Sequence, residues 1–242
     1  MQTFTFIGFI ACTVLSCNKE NQCALFPGDY KTENRDVDFF NQLVIDGVCI
    51  IHLTQDTANK MAIRSKEKTL RNIKTFVSDS ILFIENHNYC SWANNYEKPV
   101  IWLHVKQLNN IKLYESCKIL STNPLKENIM IEAVSQYAEI NLILDNNGMY
   151  FYNNRGTTGI YEFSGFSRYP NLNVHFGSWL KADSLSSEFC VLRNEAITDT
   201  YLGETKGLIV KIENTGNVYY TGSPEVIELN DSLSKGGRLI HY

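Results

Sequence analysis

A pair of carboxylates on neighbouring strands is the one arrangement in this chain that could cleave a covalent bond. Strands stacked about 4.8 Å apart would place carboxylates one or two strands apart at the spacing of a retaining or inverting glycoside hydrolase. Glu162 is the test case. Aligning the strand-like runs puts Lys181, Thr200 and Tyr219 in its outward slot, while Glu139, Asp183 and Asp199 fall at other offsets. No second carboxylate joins it, so sugar cleavage is the minor reading and a non-enzymatic protein the main one. There is no Gly-x-Ser-x-Gly elbow, phosphate-cradling glycine loop or His-x-x-x-His pair. The five histidines (His52, His87, His104, His175, His241) are scattered and the seven cysteines lack zinc-type spacing. Neither a metal nor a cofactor is expected.

Cysteine supplies the other chemistry. Residues 1–16 carry an apolar run, Phe4 to Leu15, too short to span a bilayer and ending at the small Ser16. Val14-Leu15-Ser16-Cys17 resembles a bacterial lipobox, in which Cys17 takes lipid and becomes the mature N-terminus. A plain secretory signal with an incidental cysteine is the alternative. On the lipobox reading residues 17–35 are a tether and lead-in segment, and the membrane is a partner through the lipid anchor. Cys49, Cys117 and Cys190 sit in apolar alternation, where a free thiol behaves as a small buried hydrophobe. Cys23 and Cys90 lie in polar, turn-like segments and are expected to pair as a disulfide.

The elements that must carry these groups show a period. Ile111–Tyr114, Ile129–Glu132, Met149–Tyr152, Leu172–His175, Cys190–Leu192 and Leu208–Lys211 recur about every 20 residues, each followed by a turn and a second short run. Strand and turn repeating at this interval predict an all-β parallel solenoid. Alternation turns Leu113, Ile131, Phe151, Val174 and Val210 inward. Their neighbours Tyr114, Met130, Tyr150, Tyr152, His175 and Ile209 then point outward; the first five make a candidate binding patch for a glycan or protein partner. Residues 36–106 also read as strands and turns, forming an irregular N-terminal β-layer. That layer needs something to pack on, so the favoured expectation is that it covers the tyrosines.

With 44% hydrophobic residues in a chain of 242, one sizeable core is affordable. A formal charge of −4 gives no basic field for nucleic acid, and the basic stretch Lys60–Lys74 reads as a solvated strand and turn. Gly216 and Gly222 bracket a strand where tight corners would ask for positive φ, and residues 228–242 read as a C-terminal cap or tail.

Six short segments resemble the head GIN domain family, named for auto-transporter adhesin heads of Gram-negative bacteria. The lipobox-like cysteine is followed by Asp36-Val37-Asp38-Phe39-Phe40-Asn41-Gln42-Leu43 and Gly47-Val48-Cys49-Ile50-Ile51-His52-Leu53-Thr54-Gln55. Tyr89-Cys90-Ser91-Trp92 with Lys98-Pro99-Val100 comes next, then Gly216–Glu225 and Gly236-Gly237-Arg238-Leu239-Ile240. Asp56 stands where the family usually has glycine. The resemblance implies a right-handed parallel β-helix over residues 36–227, in an extracytoplasmic, outer-membrane-anchored lipoprotein facing the periplasm or the exterior. It brings no catalytic residues with it. An adhesion or ligand-binding module is therefore the leading expectation, ahead of a carbohydrate-active β-helix enzyme or a purely structural envelope protein.

Overall fold

The computed structural model describes residues 28–88, 97–134 and 137–242. The chain is 65% strand and 2% helix, wound as a parallel β-solenoid. In chain order, β1 (Tyr30–Arg35) precedes β2 (Gln42–Asp46) and β3 (Ile50–Gln55). Next come β4 (Lys60–Lys66), the single turn α1 (Glu67–Leu70), β5 (Ile73–Ser78), β6 (Ile81–Asn86) and β7 (Val100–Val105). The regular part opens with β8 (Asn110–Leu113), β9 (Cys117–Ser121) and β10 (Ile129–Ala133). Three long ribbons follow, each bending through a corner: β11 (Tyr137–Asn153), β12 (Thr158–Phe176) and β13 (Trp179–Ala196). The chain closes with β14 (Thr200–Leu202), β15 (Thr205–Ile212), β16 (Val218–Tyr220), β17 (Val226–Asn230) and β18 (Leu239–His241).

Two stacks of parallel strands result. The first holds β6, β2, β8, β10, the C-terminal halves of β11, β12 and β13, then β15 and β17. The second holds β7, β3, β9, the N-terminal halves of the same ribbons, then β14, β16 and β18. Alternation decides which side chains enter the core. Leu82, Leu43, Ile111, Ile131, Phe151, Leu172, Leu192 and Val210 occupy one register column of the first stack, each at most 1% exposed. Each such burial contributes about 1.5–3 kcal/mol. Leu113 and Val174 are equally buried, but in the neighbouring column two residues along the strand. The five residues expected inside are thus all inside, divided between two columns.

The N-terminal strands differ from the expected covering layer. The coil β6–β7 lies outside the earlier coil β2–β3, which is clasped between it and β8–β9. Beyond them β4 pairs antiparallel with β7, β1 with β4, and β5 with β6. These residues lengthen the stack and blunt its end instead of folding over a face. An antiparallel pair needs only a short connection, so the chain can double back here. At the other end, residues 228–242 contribute to the last coil. Ile227 and Leu229 continue the inward columns there but are 42% and 45% exposed, because no further coil lies on them.

Two glycines show what the corners demand. Gly222 has φ of +80°, which L side chains rarely adopt. Gly216 does not have positive φ; a Cβ there would instead sit on the carbonyl oxygen of Thr198 in the coil before it. Close approach, not left-handed backbone, requires that glycine.

Candidate functional site

On the first stack the structure gathers part of the expected patch. Met130 and Tyr150 are register partners, and Tyr150 is 40% exposed. Tyr152 stands between Glu132 and Asn173 in the next outward column, partly buried. β7 belongs to the other stack, so Val100–Val105 does not cover these tyrosines. Tyr114 is exposed but two coils from Tyr150, with the Lys112 ammonium 5.4 Å from its ring centre. His175 departs most from expectation: it is 3% exposed, its ring set edge-on to Tyr152 with centroids 5.2 Å apart.

His175 is buried because a polar knot holds the corner beside it. The Asn153 carboxamide, itself inside the solenoid, donates to the carbonyls of Thr157 and His175 and to Ser178 Oγ, and accepts from the His175 amide. One side chain thereby satisfies backbone groups that a sharp corner leaves unpaired. His175 Nδ1 lies 3.2 Å from Glu195 Oε2, though out of line for a hydrogen bond, so neither ring nitrogen is hydrogen-bonded among the described residues. Arg193 Nη2 reaches both Glu195 (2.6 Å) and Glu213 (3.1 Å), and Lys211 also pairs with Glu213. Burial pushes the His175 imidazole below its ordinary pKa; the Glu195 charge opposes this, and Arg193 and Arg155 add to it. Glu213 is drawn down to about 2, chiefly by the Lys211 hydrogen bond and also by Arg193.

The second stack holds a cleft beside the outward slot of Glu162. The slot of Glu162 contains Asn141, Lys181, Tyr201 and Tyr219. Thr200, assigned to it from the sequence, points inward and is fully buried. Glu162 accepts Asn141 Nδ2 at 2.8 Å and Lys181 Nζ at 3.1 Å. Register slips between Glu162 and Ser164 against β13, leaving Asp183 and Ser184 both exposed on a bulge. A cleft of about 300 Å³ opens there, lined by Asn141, Glu162, Phe163, Ser164, Lys181, Asp183 and Ser184. Trp179, two residues before Lys181 on the same face, is 49% exposed. Tyr201 and Tyr219 stack with centroids 5.2 Å apart, and Tyr242 stands nearly perpendicular to both. The sequence carries a sign of the bulge: inward residues run Leu180, Ala182, then Leu185, a step of three where alternation asks for two.

Cys17, Cys23 and Cys90 lie outside the described residues. Cys49, Cys117 and Cys190 are buried free thiols. Among the described residues no three His, Cys, Asp or Glu side chains gather as a metal site, and no helix is long and apolar enough to cross a membrane.

Comparison with known proteins bears on this architecture. An adhesin of Bacteroides fragilis, described as putative, has 20% identity and a TM-score of 0.79, covering 88% of this chain and 97% of its own. A putative adhesin of Parabacteroides merdae has 16% identity and a TM-score of 0.57, covering 89% and 97%. A putative lipid binding protein of Parabacteroides distasonis has 14% identity and a TM-score of 0.58, with the same coverage. At these identities the likeness is one of fold. No curated protein matches the chain. The family described as "Putative auto-transporter adhesin, head GIN domain" matches residues 39–224, and the chain belongs to that family.

Proposed function

We propose that the chain is a non-enzymatic cell-envelope lipoprotein whose solenoid binds a partner on its lateral faces. The observation that carries this is the filled interior. Short of the last coil, the inward columns of both stacks are, among the described residues, closed by side chains at or near zero exposure, which leaves a ligand the outer faces and the exposed C-terminal end. A lipid, the ligand named for one protein of similar fold, would have to lie on those surfaces as well. Met130, Tyr150 and Tyr152 form one contact surface on the first stack, where tyrosine offers apolar area with a hydroxyl and orders at small entropic cost. In support of the non-enzymatic reading, both oxygens of Glu162 already accept hydrogen bonds, one from the Asn141 carboxamide and one from the Lys181 ammonium.

Cys17 carries the lipid in this reading, and a Cys23–Cys90 disulfide secures the lead-in segment. Beads coated with the full chain should adhere to cells, and Cys17→Ala should move the protein out of the membrane fraction. Beads that adhere no better than bare ones would remove the adhesion reading. Unchanged fractionation and acyl labelling of the Cys17 variant would remove the anchor.

A further inference from the structure

We propose that the second-stack cleft, formed by Asn141, Glu162, Ser164, Lys181, Asp183 and Ser184, with Trp179 exposed two residues before Lys181 on the same strand face, binds neutral saccharides. The inference rests on the reading of the chain as a binding module and names the ligand class of one face.

Lining chemistry selects the class. Within one cleft of about 300 Å³ stand two carboxylates, an ammonium, a carboxamide and two hydroxyls. Donors and acceptors are interleaved, as a ring bearing several hydroxyls requires, because each sugar hydroxyl both gives and takes a hydrogen bond. Glu162 is tied to Asn141 and Lys181, yet a carboxylate has about four lone-pair sites and an ammonium three protons, so both keep capacity for a ligand. Their mutual contact holds them in place before binding, which lowers the ordering cost.

Charge narrows it further. Two carboxylates face one ammonium, so an anionic sugar would meet net repulsion while a neutral one would not. The bulge at Asp183–Ser184 turns two consecutive side chains outward, where a regular strand would bury one of them. Trp179, nearly half exposed and leaving the strand on the same face as Lys181, supplies the flat apolar surface on which the C–H face of a sugar ring packs. Its register partner Ile160, 37% exposed, extends that surface into the preceding coil.

The test is an array of neutral hexose and N-acetylhexosamine oligomers printed beside sialylated, uronate-containing and sulfated chains, probed with the purified full chain. Signal is expected on neutral oligomers and should be competed by the same sugar in solution. Trp179→Ala should weaken it at least tenfold, and Asp183→Asn several-fold, with melting temperatures unchanged because both side chains are exposed. Tyr150→Ala with Tyr152→Ala, on the other stack, should leave it intact. Neutral-sugar binding that survives both Trp179→Ala and Asp183→Asn would overturn the site. Binding confined to acidic chains would overturn the ligand class. Coated beads that adhere to cells while the array stays blank would sink this inference and leave the adhesion reading standing; failure of both assays would sink both.

Discussion

Nδ1 of His175 stands 3.2 Å from Oε2 of Glu195 beneath the surface of the first stack, a contact that does not keep the imidazole charged. Burial outweighs the carboxylate, helped by Arg193 and Arg155. The folded state therefore binds the His175 proton less readily than the unfolded chain, whose histidine titrates near pH ~6.5. This contribution to stability is complete above that pH and is lost as pH falls toward the folded-state value. Glu213 adds a second, lower window, losing its contribution as pH falls from about 4.5 toward about 2. Thermal melts between pH 8 and pH 3 should show both limbs; His175→Gln should flatten the upper one and Glu213→Gln the lower. An unchanged upper limb in the His175 variant would count against the assignment.

Partner binding through the first stack should fail in the double variant Tyr150→Ala, Tyr152→Ala. Tyr150 is 40% exposed, so its loss costs little stability; Tyr152 is partly buried against His175, and a fall of a few degrees in melting temperature is expected from it. Bead adhesion measured beside the melt separates the two effects. Undiminished adhesion would discard these tyrosines as a contact surface.

Phe151→Ala should be among the most damaging single changes. Its ring is fully buried against Tyr161 and Phe163, with centroids 4.5 Å and 5.3 Å away. Truncation leaves a cavity in a stack whose neighbouring coils hold their spacing through backbone hydrogen bonds, so collapse is limited. A loss of about 3–5 kcal/mol is expected by denaturant unfolding.

The thiols of Cys49, Cys117 and Cys190 should resist alkylation in the native protein and react once it is unfolded. Burial pushes Cys49 and Cys190 up to about 12 and Cys117 well above its ordinary value, so almost no thiolate exists near neutral pH. Mass-spectrometric counting of labelled cysteines before and after denaturation checks this. Labelling of any of the three in the native state at a rate comparable to the unfolded chain would contradict the buried assignment.

The residues that pack the core were legible because the code for them is local. Period-two alternation puts Ile131, Phe151 and Val210 inside without knowledge of what they touch. Polar residues broke the same rule in ways a single strand's pattern cannot show: Asn153 turns inward to pair corner backbone, Thr200 turns inward with its hydroxyl unpaired among the described residues, and His175 is buried edge-on to Tyr152 beside Glu195. Tyr201 was displaced from its slot by that one-residue error. The cleft was hidden for a related reason. Its bulge is a register relation between β12 and β13, and it appears in the chain only as the three-residue step from Ala182 to Leu185. The order of the first coils had no local signal at all, since it depends on which strands β2 and β3 accept as neighbours on both sides.

That clasped coil makes the two ends of the molecule unequal during folding. β2–β3 precedes in the chain both coils that flank it, and β9, the last of its four neighbours, ends at Ser121. Roughly the first half of the chain must therefore assemble as one unit. Each later coil can then be laid on a finished template. Truncation follows the same asymmetry: coils can be trimmed singly from the C-terminal side, whereas removing β2–β3 takes the middle out of the foundation and strips β6–β7 of its parallel neighbours.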